Sequence, residues 1–298
     1  MVGVLNEYDE FGLLEENASE AGLPWNGPPV VSRHHIAVEN DRELSALLWG
    51  TESPELVFLH GGGQNAHTWD TVALALDRPL LAIDLAGHGH SDWRPDHEYS
   101  PPLLAADVAR AIRQLAPDAK MVVGMSMGGL TAICLASEWP ELVPKLAIID
   151  VTPGTDNKKA RSIVEFISGP EVFESFEAIF ERTVKYNPTR SLSSLRRGIL
   201  HNAASNADGS WSWRYDPVRR FSGAEASHSS LWEQISQIRC PVLLALGSKS
   251  PVVGAEDVRE FKRRQPGTQI VEFEGAGHSI QGDRPVELAR SLESYMVA

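Results

Sequence analysis

Ser126 stands at the centre of Gly124-Met125-Ser126-Met127-Gly128, where the apolar run Met121-Val122-Val123 ends and Gly128-Gly129-Leu130 opens a helical stretch. A serine hydroxyl is a weak nucleophile at neutral pH. It needs exposure to substrate, a base to take its proton, and donors to hold the oxyanion that forms. Flanking glycines permit a sharp turn that lifts the hydroxyl clear, because side chains there would strike the adjoining helix and strand. A Gly-x-Ser-x-Gly match carries little weight by itself; its place between a strand and a helix makes it strong. His60-Gly61-Gly62-Gly63 follows the run Leu56-Val57-Phe58-Leu59, and its bare backbone can approach a substrate oxygen. The backbone N–H groups of Gly62 and Met127 are therefore the expected oxyanion donors, against the plainer alternative of a glycine turn. His60 is expected beneath that loop as a structural, hydrogen-bonded histidine.

These groups need a scaffold. Besides the runs at 56–59 and 121–123, Leu80-Leu81-Ala82-Ile83 and Leu146-Ala147-Ile148-Ile149 are short and apolar, and between them lie segments with helical spacing such as 103–115 and 130–139. Continuous apolar strands alternating with helices indicate a parallel sheet covered on both faces, an α/β fold. Two alternating stretches, His35 to Val38 and Leu44 to Trp49, read as an edge hairpin. From Thr152 to Trp232 the alternation stops, and a polar, helical sequence with scattered aromatics (Phe166, Phe173, Phe176, Phe180, Tyr186) reads as an inserted helical cap. Strand-like runs resume at 241–246 and 269–273, with a last helix over 285–296. The expected division is an N-terminal arm over 1–30, a core over 31–151 and 233–298, and a cap over 152–232.

Asp84-Leu85-Ala86-Gly87-His88-Gly89-His90-Ser91 follows the second parallel strand. With it, the order of strand, His-Gly-Gly-Gly loop, strand, Asp-x-x-Gly-His-Gly-x-Ser turn and serine elbow resembles the serine-nucleophile branch of the α/β-hydrolase fold family, from about residue 34 onward except in the cap. The resemblance implies a mostly parallel, doubly wound sheet of eight-stranded type. It also implies that the Gly-His-Gly turn is architectural, which leaves Asp84 and His88 outside the catalytic set. The base should come last in chain order, after the final strand. His278, in Glu274-Gly275-Ala276-Gly277-His278-Ser279, fits, since small residues before it let a short loop bring the imidazole across to Ser126.

A third group should hold that imidazole in the correct tautomer. Family members most often place an aspartate three residues after the glycine ending the penultimate strand, but this chain reads Gly247-Ser248-Lys249-Ser250. Some relatives, including certain haloalkane dehalogenases and lactonases, take the acid from the end of the strand after the nucleophile's helix. Asp150 occupies that place and is the expected acid, with Glu256, Asp257 and a diad lacking any acid as alternatives. Serine at 126 also disfavours the haloalkane dehalogenase and epoxide hydrolase chemistries of this fold, which use aspartate as nucleophile.

Trp211-Ser212-Trp213-Arg214-Tyr215 sets three large aromatics at alternate positions, on one side of an extended segment. Trp211, Trp213 and Tyr215 are read as a substrate-binding wall over Ser126, with Arg214 near a substrate carbonyl or carboxylate, or else as the anchor docking the cap. The pairs Arg196-Arg197 and Arg219-Arg220 are read as solvated faces.

A formal charge of −13 over 298 residues argues against nucleic-acid or anionic-membrane partners, which require clustered cations. It points to a small-molecule substrate that is not strongly anionic. Cys134 and Cys240 are too few for a disulfide framework, lack zinc-site spacing and read as small core residues. Neither a basic-then-apolar leader nor an apolar run of about 20 residues is visible, so a cytoplasmic protein is the expectation; a homodimer stays open. The chemistry requires no metal or organic cofactor. Hydrolysis of a small, apolar carboxylic ester or lactone through an acyl-enzyme ranks first. Carbon–carbon bond hydrolysis of a vinylogous diketone, and a catalytically weak ligand-binding receptor on the same fold, are the alternatives.

Overall fold

The computed structural model describes residues 8–156, 158–188, 190–218 and 230–298. A short helix α1 (Leu14–Glu20) precedes a hairpin of β1 (Val31–Ala37) and β2 (Glu43–Trp49). There follow β3 (Leu56–Leu59), α2 (Asp70–Leu76), β4 (Leu80–Asp84), α3 (Pro101–Leu115), β5 (Met121–Met125), α4 (Met127–Glu138) and β6 (Leu146–Ile149). The insertion holds α5 (Arg161–Ile167), β7 (Val172–Phe173), α6 (Phe176–Tyr186), α7 (Leu192–Asn202), β8 (Ala203–Ser205) and β9 (Trp211–Trp213). After it come α8 (Leu231–Gln237), β10 (Val242–Gly247), α9 (Ala255–Arg264), β11 (Gln269–Phe273), α10 (Ile280–Asp283) and α11 (Pro285–Val297).

Eight strands form one sheet in the order β1-β2-β4-β3-β5-β6-β10-β11. β2 runs antiparallel to both β1 and β4, and the remaining pairs are parallel. The apolar runs are continuous because both faces are covered. Val57, Leu59, Val122, Ile148 and Leu244 face the layer of α3, α4, α8 and Phe261 of α9. Leu56, Phe58, Val123, Ile149 and Ala245 face α2, α11 and Leu14 of α1. Adjacent residues of a strand point to opposite faces, so alternate members of each run fill the two layers. β5 lies inside the sheet between β3 and β6, and its C-terminal end, where ligands bind in open parallel sheets, carries Ser126.

The cap adds an element beyond the expected helices: β7, β9 and β8 form a small antiparallel sheet. Trp211 and Trp213 are its central strand, and their alternation gives that sheet an apolar face. The expected boundary between 232 and 233 falls inside α8, whose Leu231 and Ile235 are buried with the core layer rather than with the cap. The arm is pinned as well as packed, since Arg33 Nε donates to Glu10 Oε1 at 2.8 Å. Arg197, read as a solvated face, is only 4% exposed and donates from Nε to Asn17 Oδ1 of α1 at 2.9 Å. The exposed face expected there is instead where cap and arm meet. Arg219 and Arg220 lie outside the described residues. Among those described, no helix is long and apolar enough to cross a membrane.

Candidate active site

Ser126 sits at φ +51° and ψ −118° between β5 and α4, a strained conformation of the kind that costs about 1–3 kcal/mol and persists only when its surroundings enforce it. Here they do. A Cβ on Gly124 would lie 2.3 Å from Gly128 O, and one on Gly128 would lie 2.4 Å from Leu59 O. The glycines are thus the contact surfaces through which β5, α4 and β3 close around the serine. Gly128 N–H donates to His60 O at 3.0 Å, which ties the elbow to the glycine loop.

That loop lies against the serine: a Cβ on Gly61 would come within 3.3 Å of Ser126 Cβ. Gly62 is next to Met127, since a Cβ there would be 3.9 Å from Met127 Sδ. Met127 opens α4, so its N–H has no acceptor within the helix. Among the described residues neither the Met127 nor the Gly62 N–H has a backbone or side-chain acceptor. His60 is fully buried under the loop. Its Nδ1 donates to Gly61 O at 2.8 Å and its Nε2 accepts from Leu85 N–H at 2.9 Å, which fixes the neutral tautomer. Burial lowers its pKa below the usual histidine range.

His278, in the loop after β11, donates from Nδ1 to Asp150 Oδ2 at 2.8 Å. Its Nε2 is buried and has no hydrogen-bond partner among the described residues. Asp150, at the end of β6, is 1% exposed, adopts φ +51°, and accepts at Oδ1 from Gly247 N–H at 3.1 Å. Ser250, at the position where a carboxylate is usual, donates its hydroxyl to Asp150 Oδ2. Asp257, an alternative acid, is engaged elsewhere: it accepts from Lys159 Nζ at 2.7 Å and caps α9 through Gly254 N–H at 2.7 Å. Glu256 is 69% exposed at its side chain.

Asp84 accepts from Ala66 N–H at 2.7 Å, His90 N–H at 3.0 Å and Arg33 Nη1 at 2.8 Å, and His88 Nδ1 lies 3.1 Å from Ala86 O. Both hold loops together. The cap aromatics divide. Trp211 packs on Phe176, with centroids 5.2 Å apart, inside the cap. Trp213 stacks on Tyr215 at 5.6 Å, and Tyr215 reaches the glycine loop, its Cε1 3.6 Å from where a Gly63 Cβ would be.

A cavity of about 670 Å³ lies between cap, arm and the loops around α10. Of the expected wall only Trp213 lines it; Trp211, Tyr215, Arg214, Ser126 and His278 do not. Gly63 and Ser279, the residues following Gly62 and His278, do. Its lining is rich in polar and charged groups, including Gln64, Arg190 and Gln281, where an apolar wall was expected. The sequence reading missed Arg190, because one arginine in a polar cap segment carries no pattern.

His67, Asp70 and His201 are the metal-ligating side chains that come together among the described residues. The two imidazoles stack at 3.8 Å and 10°, so their in-plane lone pairs run side by side rather than converging on one ion. His67 instead bridges Asp70 at 2.9 Å and Glu10 at 3.0 Å. Burial lowers the His67 pKa, but Asp70 and Glu10 outweigh it and hold it at about 9. The two cysteines are free, and burial pushes their thiols up, to about 12 for Cys134 and about 11 for Cys240, as suits small core residues.

The alpha/beta hydrolase family matches residues 56–291. The chain is 44% identical to esterase Rv0045c of Mycobacterium tuberculosis over 97% of both chains. It superimposes on a crystal structure of that esterase with a TM-score of 0.85 at 41% identity, covering 99% of this chain and 100% of the other. It is also 35% identical to protein phosphatase methylesterase 1 of Bos taurus over 60% of this chain and 50% of that protein.

Proposed function

The chain belongs to the alpha/beta hydrolase family, and from that premise we propose that it hydrolyses carboxylic esters or lactones through an acyl-enzyme formed on Ser126. The observation that carries this reading is the pair of buried Asp150 and partly buried His278: with Asp150 as acceptor, its 2.8 Å hydrogen bond puts the proton on Nδ1, and Nε2 has no partner among the described residues. A relative at 44% identity described as an esterase supports the ester as the substrate class.

In this mechanism His278 Nε2 takes the proton of Ser126 Oγ as the oxygen attacks the acyl carbonyl. The resulting oxyanion is held by the N–H groups of Gly62 and Met127. Collapse breaks the acyl–oxygen bond, and His278 returns the proton to the departing alkoxide. Water, deprotonated by the same imidazole, then attacks the acyl carbon; the bond from that carbon to Ser126 Oγ breaks, His278 returns the proton to Oγ, and the acid is released. Asp150 stays ionised throughout and stabilises the transient imidazolium. The serine at 250, which left room for a catalytically weak receptor, is here a hydrogen-bond donor to the acid rather than a gap in its place.

The test is the release of nitrophenol from 4-nitrophenyl butyrate, with covalent labelling by a fluorophosphonate read by mass spectrometry. Ser126→Ala is expected to lower kcat by at least about 10⁴-fold and to abolish labelling. Labelling at another residue, or turnover retained in the variant, would reject the assignment.

A further inference from the structure

Arg190, on the wall of the cavity that Gly63 and Ser279 also line, has no counter-ion among the described residues. Its Nη2 donates to Ser194 Oγ at 2.6 Å, its Nε is buried and unpartnered, and no carboxylate among the described residues pairs with it. The other arginines of this cavity are occupied. Arg197 binds Asn17, Ser193 and Glu20, and Arg284 binds two carbonyls and lies 3.7 Å from Glu287. Carboxylates close enough to influence Arg190 are committed elsewhere. Asp283 accepts from Gly277 N–H at 2.9 Å, and Glu20 takes the Ser191 hydroxyl and Arg197. Burial lowers the Arg190 pKa, with Asp283 and Glu20 opposing only in part.

The guanidinium is also held in place. A Cβ on Gly282 would lie 2.7 Å from Arg190 Cζ, so the group packs against the backbone of α10. α10 follows the loop that carries His278, and Gly63 and Ser279 line the same cavity. A desolvated, unpaired guanidinium is costly unless an anion completes it, and a carboxylate matches its planar fork.

We propose that Arg190 is a specificity-determining residue that binds the free carboxylate of an ester substrate in this cavity, so that the preferred substrates are esters carrying a second, anionic carboxyl group. This rests on the ester-hydrolase reading above and replaces the small, apolar, not strongly anionic substrate expected from the sequence. A negative net charge does not oppose it, because Arg190 itself carries a positive charge that no carboxylate among the described residues pairs.

The experiment compares mono(4-nitrophenyl) glutarate with 4-nitrophenyl pentanoate, which share a five-carbon acyl chain and differ in the terminal carboxylate. The wild-type protein should prefer the glutarate ester in kcat/KM, and Arg190→Gln should lower that preference ratio at least about tenfold. A wild-type protein that favours the pentanoate, or a ratio unchanged in R190Q, would overturn the proposal. Should R190Q not fold, Arg190→Lys carries the test: losing the fork lowers the ratio at least about threefold if the proposal holds, and an unchanged ratio overturns it. If neither ester is turned over, the ester reading fails by itself. Thermal denaturation with free glutarate then decides: a Tm rise in wild type absent from R190Q sustains the site, and equal shifts or none reject it.

Discussion

Ser250 gives its hydroxyl hydrogen to the Asp150 carboxylate, the same Oδ2 that receives His278 Nδ1 at 2.8 Å. A neutral donor on the loop after β10 thus orients an acid supplied by β6. Segments after two strands meet at one carboxylate, which in the proposed mechanism is the acid behind His278.

Asp150→Asn should therefore lower kcat by about 10³–10⁴-fold on a nitrophenyl ester, because an amide no longer enforces the Nδ1–H tautomer. Ser250→Ala should cost about tenfold, the scale of one hydrogen bond to a charged group. Asp257→Asn should leave the rate within about threefold, since Asp257 serves Lys159 and the start of α9. Losses ranked the other way would move the acid from the end of β6 to the first turn of α9.

The elbow glycines predict a contrast measurable by chemical denaturation. Gly128→Ala drives a methyl group to 2.4 Å from Leu59 O and 2.6 Å from His60 O, both backbone atoms. A loss of at least about 2 kcal/mol is expected, together with activity. Gly198, exposed in α7 with nothing within 4 Å of an added Cβ, should gain about 0.5–1 kcal/mol on substitution by alanine.

The Glu10–His67–Asp70 bridge makes the anchoring of the arm depend on pH. With its pKa raised from 6.5 to about 9, His67 contributes stability that is fully present below about pH 6.5 and lost as pH rises through about 9. Glu10 is pushed up by burial, but His67 and Arg33 together hold it at about 2. Its contribution is present above about pH 4.5 and disappears as pH falls through about 2. His67→Gln should accordingly lower Tm more at pH 6 than at pH 9.5. Equal losses at the two pH values would show that His67 is not charged in the fold.

Local sequence was sufficient for most of the scaffold and for the turn that carries Ser126. The runs at 56–59 and 146–149 coincide with β3 and β6, because a strand buried on both faces must be apolar at every position; the run at 269–273 coincides with the edge strand β11, where Gln269 and Glu272 are exposed. Gly124, Ser126 and Gly128 mark the elbow because only glycine permits the backbone contacts made there. Chain order alone singled out His278 among ten histidines.

What sequence left open was decided by contacts between segments far apart in the chain. Sequence left Asp150, Glu256, Asp257 and a diad without an acid open, whereas the fold brings residues 150, 250 and 278 to one place. Arg197 read as solvated because nothing in its neighbourhood reveals α1, which lies 177 residues away in the chain at Glu20. Arg190 draws its meaning from charges that fail to reach it. Periodicity and turn chemistry are written in neighbouring residues, and so they are legible in sequence; the desolvation and pairing of a charge depend on everything packed around it, which only the tertiary structure assembles.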